Sequence, residues 1–410
     1  MAQVSHLIGR ITIEIRIESR KPQPTKPRCA PRRGGGAGLD SKAGLKENWG
    51  MSSPGRSARA SPPLPRGRGA ASNPPNRFEK ISLERDADWN PEDDPAPRTQ
   101  FLRDLSQTII SYNDSPDIPF KASLNPYRGC EHGCAYCYAR PTHEYLGFSA
   151  GLDFETKIMV KENAPELLRR ELASPKWKPQ TLAMSGVTDP YQPVERRLQL
   201  TRRCLAVLAE FRNPVSVTTK NFLVTRDLDL LRELAAHHAV TVHLSINSLD
   251  SELTRKLEPR AASPSLRLAA VEALAKAGVP VGVLVAPLIP ALNEHEMPSV
   301  LAAAKAAGAG WAYTEIVRLP LAVAPIFEQW LEQNVPGKRD KVLNRIRAMR
   351  GGKLNDPRFG ARMRGEGILA DQISQMFHVA RRKVGLPEDG PELSTAAFRR
   401  PEGAQLGLGL

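Results

Sequence analysis

The sequence predicts a parallel α/β fold, either an open sheet or a barrel-like arc. Two observations carry this. From Phe101 onward, short β-branched or apolar runs alternate with helix-period segments about six times. The runs are also nearly continuous in apolar residues, the pattern of parallel strands covered on both faces. Repeated strand–helix alternation of this kind builds a parallel sheet.

Taken in order, the chain opens with a stretch of different character. Residues 1–80 carry 16 Lys/Arg against 5 Asp/Glu, so most of the net charge of +14 sits there. From residue 20 to about 77 the composition is rich in Pro, Gly, Arg and Ser, as in PRRGGGAG and SPPLPRGRGAASNPP. Such a stretch cannot bury enough apolar surface to offset its ordering entropy. Residues 1–77 are therefore expected to be a disordered basic leader, able to hold an anionic partner such as nucleic acid loosely. Met51 offers an alternative start within it, and Cys29 is a bystander. The first twenty residues lack the continuous apolar region of a signal peptide. No run of about 18 apolar residues follows, so the expectation is no membrane partner and a cytoplasmic protein.

The core is expected over residues 78–320. A weak strand KIMVK (157–161) precedes APELLRRELA. TLAMSG (181–186) precedes a helical stretch from Glu195 to Phe211, and VSVTTK (215–220) precedes RDLDLLRELAAHH. VTVHLSIN (240–247) leads into SPSLRLAAVEALAKAG, VPVGVLVAPLI (279–289) into EMPSVLAAAKAAG, and WAYTEIVRLP (311–320) closes the series. Residues 321–410 read as a charged helical extension with a flexible tail.

Three of the five cysteines, Cys130, Cys134 and Cys137, fall in RGCEHGCAYCYAR (128–140), spaced C-x3-C-x2-C. An odd count with three clustered is no disulfide framework and suits a reducing compartment. One reading is inert structural thiols. A second is zinc, with His143 or His132 as fourth ligand, although the second pair of ligands usual in a structural zinc site is missing. A third is a [4Fe–4S] cluster held by three thiolates, which leaves one iron open to chelate a small molecule. Tyr136, between the second and third cysteines, suits a shield for such a cluster or ordinary loop packing.

CEHGCAYCYAR resembles the CX3CXΦC signature of the radical S-adenosylmethionine (SAM) superfamily, with Tyr136 as the aromatic. NPYRGCEHGCAYCYAR, SGVTDPYQPVE, RDLDLL and APLIPALNE resemble its spore photoproduct lyase-like, or DNA repair photolyase-like, branch over residues 75–380. The resemblance implies a partial (β/α)6 TIM-like barrel with the cluster in the loop after the first strand. It implies S-adenosylmethionine across the carboxyl ends of the strands, where such folds generally bind ligands. It also implies an electron donor such as flavodoxin or ferredoxin. In that family one electron from the cluster cleaves the sulfonium to methionine and a 5′-deoxyadenosyl radical, which takes a hydrogen atom from the substrate.

Carried onto this chain, Ser185, Gly186 and Asp189 or Thr188 are expected near the methionyl amine. Ser245 and Asn247 are expected on the ribose, though strand-end polar residues equally serve as helix N-caps. GVLVAPLIP (282–290) would contact the adenine, and Tyr136 would lie near it. Lys220 and Arg318, at two strand ends, would neutralise a carboxylate or phosphate, and Glu195 would hold the loop or cap the next helix. Spore photoproduct lyases use a further downstream cysteine to return a hydrogen atom to the product. Here only Cys204 lies downstream, on the apolar side of a helix, which weakens the case for a thymine photoproduct. The rival from another class is a nucleic-acid-binding protein stabilised by zinc or iron–sulfur, without radical chemistry.

Overall fold

The computed structural model describes residues 65–79 and 97–401, which belong to one compact unit. Its strands, in chain order, are β1 (Gln100–Arg103), β2 (Ile110–Tyr112), β3 (Ala122–Leu124), β4 (Tyr127–Arg128), β5 (Lys157–Val160), β6 (Leu182–Met184), β7 (Val215–Thr219), β8 (Val240–Ser245), β9 (Val281–Leu288) and β10 (Ala312–Ile316). Seven of them form one sheet in the order β10-β9-β8-β7-β6-β3-β2. From β3 to β10 every pairing is parallel, and β2 closes one edge antiparallel. β10 and β2 end the sheet without pairing, so it is an open arc of six parallel strands.

One expected member is misplaced in the sequence reading. KIMV is not in the main sheet. It forms a three-stranded satellite, parallel to β1 and antiparallel to β4. The first parallel strand is instead Ala122–Leu124, three residues long and missed because so short a run carries no periodicity. Its register, Leu124 opposite Met184, sets Asn125 beside Ser185 at the rim.

The strands are not covered equally on their two faces. Val215, Val217, Val240, Val242, Leu244, Val281, Val283 and Val285 pack with Leu205, Leu208, Leu231, Leu234, Val271, Leu274, Val300 and Leu301 of the surrounding helices. On β7 and β8 the alternate positions are polar: Ser216, Thr218, Thr241, His243 and Ser245. Opposite the core, the Trp311 indole donates to His243 Nε2, and Ser216 Oγ lies 3.4 Å from His243 Nδ1. A strand that reads as apolar thus supplies a greasy outer face and a polar concave one.

The helical stretch from Glu195 is broken. Gln199 adopts a left-handed conformation (φ 51°) between Glu195–Leu198 and Leu200–Phe211. Glu195, buried, bridges the break by accepting from the Thr201 and Arg202 amides of the second helix. That is N-terminal capping by a carboxylate. After β10 come helices Val323–Asn334, Arg339–Ala348 and Ile368–Lys383. Residues 384–401 then return to the base of the sheet, with Gly390 donating to Tyr313 Oη and the Phe398 ring 6.3 Å from that of Phe211. No described helix is long and apolar enough to cross a membrane.

The expected disordered leader lies largely outside the described residues. Its end does not: residues 65–77 pack on the core. Ala70 and Ala71 are buried, Asn76 Nδ2 donates to the Glu144 and Phe148 carbonyls, and Ser149 Oγ donates to the Pro74 carbonyl. Composition misses this because the segment is held by backbone approach and hydrogen bonds rather than by large apolar side chains.

Candidate functional site

Because β3 and β6–β10 run parallel, their carboxyl ends share one rim, and the loop after β3 and β4 carries Cys130, Cys134 and Cys137 there. The three are free thiols, two buried and Cys137 half-buried. Burial pushes the Cys134 and Cys137 thiols up, and Lys220 pulls both back. Among the described residues no three His, Cys, Asp or Glu side chains converge as a single metal ion would require.

The loop is gripped from three sides. On the first, Gln192, wholly buried, spans Cys130: its Nε2 donates to the Gly129 carbonyl (3.3 Å) and its Oε1 accepts from the Glu131 amide (2.9 Å). Thr188 Oγ1 donates to the same Gly129 carbonyl at 2.6 Å, and Glu131 accepts from the Val194 amide and pairs with Arg260. SGVTDPYQPVE is therefore the clamp on the cysteine loop.

On the second side, Arg140 and Glu155 form an ion pair with both side chains fully buried. Arg140 also donates to the Cys134, Ala150 and Gly151 carbonyls, and Glu155 accepts from the Gly69 and Ala70 amides. Gly69 touches the loop so closely that a Cβ would lie 1.7 Å from the Gly133 carbonyl oxygen. No other residue fits there. On the third side, Tyr136 donates its hydroxyl to Glu258, which also pairs with Arg267, and the Ala135 amide donates to the Leu257 carbonyl. Tyr136 belongs to the same buried apolar cluster as Leu257, Ile289 and Leu319.

The remaining expected residues divide into tied and untied. Asp189 is tied: it accepts from Thr219 Oγ1 (2.7 Å), the Tyr191 amide (2.9 Å) and the Lys220 amide (2.8 Å), and stands 3.3 Å from His132 Nδ1. Burial works against its charge, but His132 and these donors hold the carboxyl at about 2. Burial likewise opposes a charge on His132, and Asp189 outweighs it, raising the imidazole to about 10. His143 is buried, donates Nε2–H to the Lys157 carbonyl at 2.9 Å, and is pushed down to about 4 by burial. Cys204 is wholly buried in the core, and burial pushes its thiol up.

Ser185 Oγ donates to the Thr188 carbonyl, and the space a Cβ would fill at Gly186 is open. Ser245 Oγ donates to the Ala286 carbonyl. Asp250, not Ser245 or Asn247, caps the following helix. Asn247 is 1% exposed, yet neither its amide nitrogen nor its amide oxygen has a partner. Such an orphaned group costs about 1–3 kcal/mol unless something binds it. Lys220 stands within electrostatic range of Cys134 and Glu258, which outweigh the opposing effect of burial and raise its pKa. Arg318 lies over the Tyr138 ring, 4.2 Å from its centroid.

Sequence reasoning missed Gln192, the Arg140–Glu155 pair with Gly69, and the Glu258–Arg267 pair. Each acts on groups from other segments of the chain, so no local pattern marks it.

A family model described as the Radical SAM superfamily matches residues 124–304. Uncharacterized proteins of Mycobacterium bovis and Mycobacterium tuberculosis are each 42% identical over 194 residues, 47% of this chain and 57% of theirs. That match spans little more than half of those relatives' length. An uncharacterized protein of Methanocaldococcus jannaschii is 30% identical over 225 residues, 55% of this chain and 80% of the relative. Among solved structures, spore photoproduct lyase complexed with dinucleoside spore photoproduct has a similar fold: TM-score 0.51, 18% identity, 70% of this chain and 79% of that one.

Proposed function

Because this chain belongs to the radical SAM superfamily, we propose that it is an enzyme whose Cys130, Cys134 and Cys137 hold a [4Fe–4S] cluster by three corners, with S-adenosylmethionine bound at the carboxyl rim beside it. The observation that carries this reading is the pairing of two features at one rim. Three thiols sit on a loop locked by Gln192, Glu155 and Glu258, and after β8 at the same rim comes an Asn247 amide with both ends orphaned. Three thiolates suit a cubane, which leaves its fourth iron open, whereas a structural zinc site needs a fourth protein ligand.

When bound, cluster and cofactor supply reductive cleavage of the sulfonium and hydrogen abstraction from a substrate. The chain's own residues hold and shield. Gln192 and Thr188 fix the backbone on either side of Cys130. Lys220 brings a half-buried cation within electrostatic range of Cys134, suited to the cofactor's carboxylate. Asn247 offers one donor and one acceptor to a neighbouring diol such as ribose. Asp189 holds His132 and the ends of β6 and β7 in place rather than meeting the cofactor.

A nucleic-acid substrate is supported by the fold shared with spore photoproduct lyase and by the basic residues 1–80. The buried Cys204 offers no thiol to the rim, which separates any such reaction from one that returns hydrogen through that cysteine. The electron comes from a small redox protein such as flavodoxin or ferredoxin, in the reducing cytoplasm. The test is anaerobic reconstitution with iron and sulfide, followed by electron paramagnetic resonance of the reduced protein. About four irons per chain and a spectrum altered by S-adenosylmethionine are expected. One zinc per chain and no visible absorbance would refute the reading.

A further inference from the structure

Resting on that reading, we infer that Arg318 is a substrate-recognition residue, and that the substrate carries an anionic group, phosphate or carboxylate, seated on its guanidinium. Arg318 follows β10 at the rim. Its guanidinium is stacked 4.2 Å from the ring centroid of Tyr138, the residue next to the cysteine Cys137, so the cation is fixed relative to the cluster loop. Among the described residues it makes no ion pair, and its Nε is buried without a partner.

A second guanidinium adds to the local positive charge. Arg350, 2% exposed, donates to the Ile316 and Val317 carbonyls that immediately precede Arg318, and its Nε is also unpartnered. The two cations are close enough to oppose one another. The nearby carboxylates are partly committed elsewhere: Asp117 is engaged by Arg362, and Asp356, which also attracts Arg350, is engaged by Arg358, while Glu315, though in range of Arg318, forms no ion pair with it. Like charges kept together with unmet donors leave a place for an anion. A guanidinium held over an aromatic ring by a cation–π contact still has N–H donors for a carboxylate or phosphate.

The experiment titrates the full-length, cluster-loaded protein into inorganic phosphate, read by 31P line width, and into 13C-formate, read by 13C line width. Both are repeated with Arg318→Gln and Arg318→Lys. The titration reads affinity in the as-isolated state, and dithionite then makes the cluster paramagnetic and adds distance. The expected result is broadening in the wild type that Arg318→Gln weakens about tenfold and Arg318→Lys partly restores. Faster relaxation on cluster reduction is also expected. Broadening of phosphate alone marks a phosphate-bearing substrate, and of formate alone a carboxylate. Equal broadening in wild type and Arg318→Gln overturns the assignment. So does loss of broadening on adding S-adenosylmethionine, which would make Arg318 a partner of the cofactor instead. Absence of cofactor cleavage in the wild type would fall on the parent reading, because the anion titration does not depend on it.

Discussion

The cysteine loop and the strand ends facing it are built on opposite plans. In the loop nearly every buried polar group is satisfied by the protein: Gln192 bridges Cys130, Glu155 takes Arg140 and two amides, and Glu258 takes Tyr136 and Arg267. At the opposing ends of β8 and β10, Asn247 and Arg318 hold buried atoms with no partner, and Gly186 faces open space. Closed networks fix a geometry in advance, and open valences wait for ligands. A rigid holder set against an unsatisfied rim is what a preorganised cofactor site requires.

Breaking the holder should give the largest effects. Replacing Cys130, Cys134 or Cys137 by Ala should abolish the iron–sulfur absorbance, while Cys204→Ala should retain it, as read by the visible spectrum and iron content. Next comes the buttress. Glu155→Ala leaves Arg140 charged and buried, at a cost of about 3–5 kcal/mol in a denaturant titration. Gly69→Ala should be as severe for cluster retention, because the intruding methyl meets a backbone carbonyl. Removal of residues 1–64 should leave the cluster in place, and removal of residues 1–79 should lose it. If both truncations retain it equally, the buttress is not part of the holder.

Smaller effects sharpen the same contrast. Gln192→Leu strips partners from the Gly129 carbonyl and the Glu131 amide. It should cost roughly 2–5 kcal/mol of stability and loosen the cluster. Asn247→Ala should do the reverse: stability changes by about 1 kcal/mol or less, since no protein hydrogen bond is lost, but affinity for S-adenosylmethionine falls roughly 5- to 150-fold by isothermal titration. A large loss of stability with unchanged affinity would place Asn247 with the scaffold.

Much of this plan was legible. Val215–Thr219, Val240–Ser245 and Val281–Leu288 announce themselves by β-branched runs, and C-x3-C-x2-C places the loop. Glu195, which reads either as holding its loop or as capping the next helix, accepts from the Thr201 and Arg202 amides. Three residues of β3 carry too little pattern to be seen, and KIMV satisfies the strand pattern while pairing elsewhere. The buttress at residues 65–77 was illegible because its signal is a missing side chain at Gly69. The engagement of Asp189 could not be read from its own neighbourhood either, since three of its partners, His132, Thr219 and Lys220, come from other segments.

The central claim is that the locked thiols and the open rim together cleave S-adenosylmethionine. It is tested most directly by incubating the reconstituted protein anaerobically with dithionite and S-adenosylmethionine and quantifying products by chromatography. Methionine and 5′-deoxyadenosine should accumulate in equal amounts from the wild type. They should be absent from Cys134→Ala and slowed at subsaturating cofactor in Asn247→Ala. A fully loaded four-iron cluster whose spectrum ignores S-adenosylmethionine, with neither product formed, would contradict the account and leave the cluster an electron-transfer or structural centre.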